Sequence, residues 1–551
     1  MMKRTIRWDM WKAVSLFFVI LFLLILVYPL FGVLQQSVIG ADGKFTLAEF
    51  RKFFSEPYYF RTIFNSLKIT LAITAVTLLI GIPFAYFYFF YEMKGAKLLF
   101  IIAILCTMSA PFIGAYSWIM LLGRNGLITK FLREALGIRI GSIYGFNGIL
   151  LVQSLKLFPL VFIYMNGVFK NIDRSLLEAS ENLGCTGLKR FFRIIMQLSM
   201  PTILAAALLV FMRAFADFGT PLLIGEGYRT FPVEIYNQYL GETGTNYSFA
   251  SAISVIAIIV TALIFFLQKW ITSHYNFPIN ALNPITKKKA KRLPNLLMHL
   301  YCYGIIAVAF LPQLYIVYLS FRNMDGGVIK DGFSLGNFEN AARRLLGRSM
   351  QNTLLFGGIS LAVIILFSIL IAYLVVRRKS IINDTIDTVS MIPYIMPGSV
   401  IGIALVIAFG RRPFALTGTA LIMIMALVIR RMPYTIRSVT ATLQNIPIST
   451  EEAALSLGAG KVKTFFRITT PMMSNGILAG AVLSWVAIVT ELSSAIILYN
   501  NRNITLTMSA YVAISRGNYG LAAAFSTILT ALTTVSLLIY LWLSKSEDIK
   551  L

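Results

Sequence analysis

Two carboxylates sit where an apolar chain should not hold them. Asp217 lies in Phe211-Met212-Arg213-Ala214-Phe215-Ala216-Asp217-Phe218-Gly219-Thr220-Pro221, and Glu491 lies in Val489-Thr490-Glu491-Leu492-Ser493-Ser494. Charge inside a lipid span is costly, so such residues are functional candidates by default. Carboxylate oxygens suit a hard cation held in transit, which makes Asp217 and Glu491 candidate transient metal ligands. A plainer reading pairs Asp217 with Arg213, one helical turn earlier on the same face. Glu491 has no cation at that spacing in its own segment and is the better candidate of the two. Lys156 and Arg430, with Arg431 beside it, are cations in or near other apolar runs. They suit either an attracted anion or a pairing with Asp217 and Glu491 across helices. The candidate translocation pathway is therefore Asp217, Glu491, Arg213, Lys156 and Arg430.

Glu491 follows Asp217 by 274 residues, and the same offset relates a second pair of sites. Asn171 to Gly184 is a polar island, continued by Lys189, Phe191-Phe192 and Arg193; Asn445 to Gly458 repeats it, continued by Lys463, Phe465-Phe466 and Arg467. Ser175-x-x-Glu178 and Ser449-x-x-Glu452 read as capping boxes, in which serine and glutamate satisfy the free N–H groups of a helix start. They place a helix start at each serine. Gly184 and Gly458 then read as helix stops, because glycine accepts the left-handed conformation. A second helix should follow each, carrying the paired phenylalanines. Ordinary amphipathic connections at the headgroups would also be polar. They would not hold glutamate, glycine and paired phenylalanine twice in one register. Two equal sockets suit a partner that is itself two-fold symmetric.

The elements that carry these residues follow from composition. The chain has 551 residues, 58% hydrophobic and 13% charged, against about 25% charged for a soluble protein. Its apolar runs of about 20 residues do not alternate, so they are membrane-spanning helices and not barrel strands. We place spans near 11–33, 62–90, 97–122, 148–169, 200–224 and 249–270, then 296–320, 350–376, 385–410, 415–438, 475–499 and 518–544. The expected fold is an all-α polytopic membrane protein of about twelve transmembrane helices in two pseudo-twofold related halves. Residues 1–270 form the first half, 271–295 a basic linker and 296–551 the second half. Asn65-Ser66-Leu67 with Ala85-Tyr86 recurs as Asn352-Thr353-Leu354 with Ala372-Tyr373, which extends the duplication.

Orientation follows from the cations. The linker holds Lys287-Lys288-Lys289-Ala290-Lys291-Arg292 without an acid, and the N-terminus carries Lys3, Arg4, Arg7 and Lys12. By the positive-inside rule both are cytoplasmic, and an even number of spans puts both polar islands on the same side. The first apolar run is too long for a cleaved signal, so it is expected to be retained. The segment 123–147 is basic although it falls outside, which fits an amphipathic helix lying on the surface. The formal charge of +26 is read as cationic span ends against lipid headgroups, with no nucleic-acid partner. Three cysteines without metal spacing and two histidines argue against a structural zinc site or a disulfide framework.

Glu452-Ala453-Ala454, Gly458, Phe465, Pro471, Gly476 and Ile477 resemble the EAA coupling loop of ABC importer permeases of type I. The first copy is looser: Glu178-Ala179-Ser180, Gly184 and Phe191 fit, while Gln197 stands in place of the proline. The fused halves and the Asp217 to Pro221 run most resemble ferric-iron permeases, and thiamine and phosphonate permeases share the layout. The resemblance implies ATPase-coupling residues Ser175, Glu178, Ala179, Gly184, Phe191, Ser449, Glu452, Ala453, Gly458 and Phe465. It also implies two copies of a cytoplasmic ATP-binding subunit, an external solute-binding protein and a bacterial inner (plasma) membrane location. The chain contains no Gly-x-x-x-x-Gly-Lys-Ser/Thr loop. It is therefore expected to bind no cofactor and to be no enzyme, with ATP used by the partner subunit. The expected function is that of the permease subunit of an importer for ferric iron. A phosphonate, thiamine or another small solute is the alternative cargo, and an ion-coupled secondary transporter the alternative class.

Overall fold

The computed structural model describes residues 10–40, 43–108, 110–139, 141–241, 246–274, 283, 285–326 and 328–544. Eight of its helices are long and apolar enough to cross a membrane, and counting three bent pairs raises the number to eleven. The twelfth expected span is helix Ala420–Gln444, which carries Arg430, Arg431 and Arg437 and is too charged to pass as a simple span. Proline sets two of the breaks. It disfavours the helical conformation in the residue before it. Ala110 before Pro111 (ψ 133°) and Met396 before Pro397 are accordingly extended. Helices Ile381–Ile395 and Gly398–Phe409 thus meet at 111° where the sequence alone suggests one span over 385–410.

The helices pack as two compact units, and these do not follow the linear division at 271–295. One unit joins the first helix to residues 235–255 and 320–551. There Trp11 packs on Tyr373 (4.3 Å between ring centres) and Phe465 (5.0 Å), and Phe18 on Phe367 (5.3 Å). The other unit joins residues 52–234 to 256–319. In it Ser117 Oγ donates to the Pro312 carbonyl (2.8 Å), and Tyr301 Oη to the Ile80 carbonyl (2.9 Å). The first span of each sequence half is therefore packed with the other half's helices.

Close helix contacts are set by small residues, because lipid supplies no hydrophobic drive and backbones must approach to gain dispersion. Gly476 and Gly480 on helix Ser474–Val489 face Thr435, Ser438 and Thr442 on Ala420–Gln444. A Cβ at Gly480 would fall 2.7 Å from Thr435 Cα. The approach lets Ser438 Oγ donate to the Gly476 carbonyl (2.7 Å) and Ser484 Oγ to the Arg431 carbonyl (2.9 Å).

The segment expected to lie on the surface holds the short helix Leu127–Ala135, with Leu127 and Phe131 exposed beside Lys130 and Arg133. The all-α expectation omits one small element, a hairpin of strands Arg322–Asp325 and Val328–Phe333. Asp325 pairs with Val328, and the turn between them opens on Gly326 at φ +55°, a conformation glycine takes freely. Lys330 bonds Asp325 (2.8 Å) and holds that carboxyl below the usual carboxylate range.

Candidate functional site

Each polar island folds as a short helix, a tight stop and a second helix. The first short helix is Arg174–Asn182 and the second Ser449–Ser456. Neither is closed by the expected capping box. Asp173 is the first N-cap, its Oδ1 accepting from the Ser175 N–H (2.8 Å). An ionised carboxylate is a stronger acceptor than a hydroxyl, so the residue two places earlier displaces the serine. Glu178 instead pairs with Arg174 one turn back (2.6 Å). In the second copy Pro447 stands where Asp173 does, and Ser449 is the first helical residue after Ile448, with no side-chain cap. There the backbone closes the turn, Glu451 N–H donating to the Ile448 carbonyl (2.9 Å).

The stops are equal. Gly184 (φ +71°) and Gly458 (φ +84°) take the left-handed position. Gly184 N–H then bonds Glu181 O (2.9 Å) and Cys185 N–H bonds Ser180 O (2.8 Å). In the second copy Gly458 N–H bonds Leu455 O and Ala459 N–H bonds Ala454 O, both at 3.0 Å. This is the two-bond Schellman pattern. Beyond it the chain forms a wide π-type turn twice, Phe191–Ile195 and Phe465–Thr469. Phe191 packs on Tyr86 (4.8 Å) and Phe465 on Tyr373 (4.9 Å), while Phe192 and Phe466 face outward.

The outward face is the same in both copies. Ser175, Glu178 and Ala179 are exposed, as are Ser449, Glu452 and Ala453. Leu183 (86% exposed) and Leu457 (89%) project bare at the tips, 274 residues apart. A single exposed leucine is ordinary on a protein surface; the recurrence of one at the same place in both copies sets these two apart.

The inward faces differ, and sequence reasoning missed how. Glu451 is buried, accepting from Arg377 Nε (2.8 Å) and Tyr373 Oη (3.2 Å), while Arg377 also donates to the Ile446 carbonyl (2.7 Å). The Glu451-Glu452 doublet was the available signal, since the first copy has Leu177 at the matching place. The first helix is tied down by the linker instead. Arg174 N–H donates to the Asn283 carbonyl (3.0 Å), Asn283 N–H to Asp173 Oδ2 (3.1 Å), and Lys288 lies 3.8 Å from Glu181. Lys287 sits over the Tyr88 ring (4.9 Å), where burial pushes its ammonium below the usual lysine range. Linker residues 275–282 and 284 lie outside the described residues.

Asp217 and Glu491 occupy matching breaks. Helix Met196–Phe215 stops before Asp217, and Gly219–Ile224 restarts the chain; Ser474–Val489 stops before Glu491, and Ala495–Leu498 restarts it. Each carboxylate accepts a backbone N–H from the restart, Thr220 (3.2 Å) on Asp217 and Ser494 (3.0 Å) on Glu491. Their other neighbours differ. Asp217, half-buried, accepts from Gln153 Nε2 (2.8 Å) and has Lys156 as an electrostatic neighbour. Glu491 is buried and receives Arg430, Arg431, Ser493 Oγ (2.9 Å) and Ser494 Oγ (3.0 Å). Arg213 has Tyr164 as an electrostatic neighbour. Among the described residues no group of three or more His, Cys, Asp or Glu could hold a metal ion.

Comparison with known proteins matches this chain over residues 77–276 and 357–548 to the binding-protein-dependent transport system inner membrane component family. A ferric transport system permease protein of Actinobacillus pleuropneumoniae is 29% identical over 538 residues, covering 95% of this chain and 77% of its own. A putative ferric transport system permease protein of Haemophilus influenzae is 29% identical over 490 residues, covering 87% and 76%. A spermidine/putrescine transport system permease protein of Haemophilus influenzae is 29% identical over 265 residues, 46% of this chain and 90% of that one.

Proposed function

This chain belongs to the binding-protein-dependent transport system inner membrane component family, and from that premise we propose that it imports ferric iron. It is the permease component of an ABC importer, a multi-pass membrane protein built from two copies of one unit. The iron assignment is carried by one observation: resemblance to ferric permeases, at 29% identity, runs through both halves.

In this reading the two loop helices are the ATPase contacts, one for each of two ATP-binding subunits. Ser175, Glu178, Ala179 and Gly184 serve one contact, and Ser449, Glu452, Ala453 and Gly458 the other. Leu183 and Leu457 extend them, and Phe191 and Phe465 anchor them to the spans. The N-terminus and both loops face the cytoplasm, and an external binding protein delivers the cargo to the opposite face. The chain performs no catalysis itself. ATP closes the ATPase pair, the loop helices move with it, and the spans exchange access. Each ligand shifts that equilibrium only by its differential affinity for the two states. Asp217, half-buried and bonded by the Gln153 amide and the Thr220 N–H with one lysine, Lys156, nearby, is the carboxylate more able to meet a passing ferric ion. Glu491, saturated by two guanidinium groups, is not a free ligand.

The test is uptake by proteoliposomes holding this chain, the ATPase and the iron-loaded binding protein. ATP-dependent accumulation of radioactive iron is expected, with at least a tenfold loss for Asp217→Asn. Uptake driven by a proton gradient without ATP would overturn the class. ATP-driven uptake of a phosphonate or thiamine but not of iron would overturn the cargo.

A further inference from the structure

Two short helices are hung from the long spans by the same pair of bonds. In the first half Asn65 Nδ2 donates to the Arg229 carbonyl (3.1 Å) and Phe231 N–H to Ser66 Oγ (2.8 Å). In the second half Asn352 Nδ2 donates to the Ile504 carbonyl (2.8 Å) and Leu506 N–H to Thr353 Oγ1 (2.9 Å). Arg229 and Ile504 are 275 residues apart, as are Phe231 and Leu506, one more than the offset at the loops. The bonds therefore fix which residues are equivalent in helices Phe231–Leu240 and Leu506–Ser515, each 10 residues long. Tyr236 and Tyr511 hold the same place in the two helices. These two tyrosines bond each other through their hydroxyls, with Tyr499 an electrostatic neighbour of both. They belong to one compact unit and are half-buried. Equivalent residues of two repeats related by a twofold touch each other only where the axis runs between them. The interface around such an axis is where a transporter built from repeats carries its pathway.

The pair also lies far from the loop helices. Thr353, which receives Leu506, precedes Arg377 on helix Gly347–Arg377 by 24 residues, about 36 Å at 1.5 Å per residue. Arg377 in turn holds Glu451 of the second loop helix. Resting on the importer reading, in which the loops face the cytoplasm, we propose that Tyr236 and Tyr511 are the outer gate of the translocation pathway, closed in this structure by their shared hydrogen bond. The chemistry suits a bond that is broken in every cycle. A neutral hydrogen bond is worth little net, because each hydroxyl finds water once the pair separates. A buried ion pair would strand charge on opening. The bond is made in the outer-closed state alone, so it biases the exchange of access by its own strength.

The experiment uses the chain with its ATPase and iron-loaded binding protein in proteoliposomes. Tyr236→Cys with Tyr511→Cys is treated with a bis-maleimide about as long as the two removed rings. Cross-linking should cut ATP-driven iron uptake at least tenfold, while each single variant given the same reagent keeps it. Cross-links should also form at least fivefold more slowly in the complex trapped with ATP and vanadate than in the ATP-free complex. Tyr236→Phe with Tyr511→Phe keeps both rings and loses the bond. Its ATP hydrolysis without binding protein should rise about two- to tenfold, the factor that one neutral hydrogen bond supports. Uptake untouched by the cross-link, one cross-linking rate in both states, or unchanged hydrolysis in the phenylalanine variant overturns the gate. The cross-linking rates need no cargo. A state-dependent rate without iron uptake by the unaltered chain rejects the cargo alone, and ATP-driven iron uptake with a state-independent rate rejects the gate alone.

Discussion

The buried pair Arg377–Glu451 should decide how firmly the second loop helix follows the spans. Its side chains are 9% and 10% exposed, so water screens the pair little. Replacing Glu451 with leucine, the residue at the matching position 177, strips Arg377 of its carboxylate and leaves it the Ile446 carbonyl. Breaking a buried pair from one side costs about 3–5 kcal/mol, because an uncompensated charge stays behind. Arg377→Phe supplies the first-half residue from the other side, since Phe90 stands in the equivalent position, and should cost a similar amount by stranding Glu451. The double variant strands no charge and removes only the partners of the Tyr373 hydroxyl and the Ile446 carbonyl. An apolar replacement of a buried pair is often neutral, so the double variant should cost far less than the two single losses together, a coupling of at least about 5 kcal/mol if each single costs about 3–5 kcal/mol. The cycle is read by thermal unfolding of the purified chain. Retention of the ATPase should follow the same order, weakest in the single variants. Additive losses, or single variants within about 1 kcal/mol of the unaltered chain, would refute the claim that this pair positions the helix.

The two stops and the two knobs give further tests. Gly458→Ala adds a Cβ that meets nothing within 4 Å, so its cost is conformational alone, about 1–2 kcal/mol for an L-residue held left-handed. Asparagine at the same position, which tolerates that conformation, should restore much of the loss in a thermal melt. Leu183→Asp and Leu457→Asp should leave the melting temperature unchanged, since both side chains are solvated. Both should release the ATPase on co-purification, and undiminished retention would remove the leucines from the contact.

What the sequence made legible was whatever the duplication repeats. The 274-residue offset found the glycine stops, the phenylalanine pairs and the two carboxylates before any coordinates, because a stop at positive φ and an aromatic anchor are local devices that a segment carries with it. Local rules failed where two local devices competed. Asp173 and Ser175 both suit a helix start, and the spacing alone cannot rank a carboxylate above a hydroxyl two residues on. They failed again where partners come from elsewhere in the chain. Glu491 looked unpaired within its own segment, yet Arg430 and Arg431 reach it from a helix sixty residues earlier, brought there by Gly476 and Gly480 against Thr435 and Ser438. Glycine spacing on one helix and small polar side chains on another were both visible. That they meet, and so turn the more attractive metal ligand into the counter-ion of two guanidinium groups, is a property of the packed helices. The duplication therefore preserved the breaks and not their chemistry. Asp217 accepts from the neutral Gln153 amide with Lys156 nearby, whereas Glu491 accepts from two guanidinium groups.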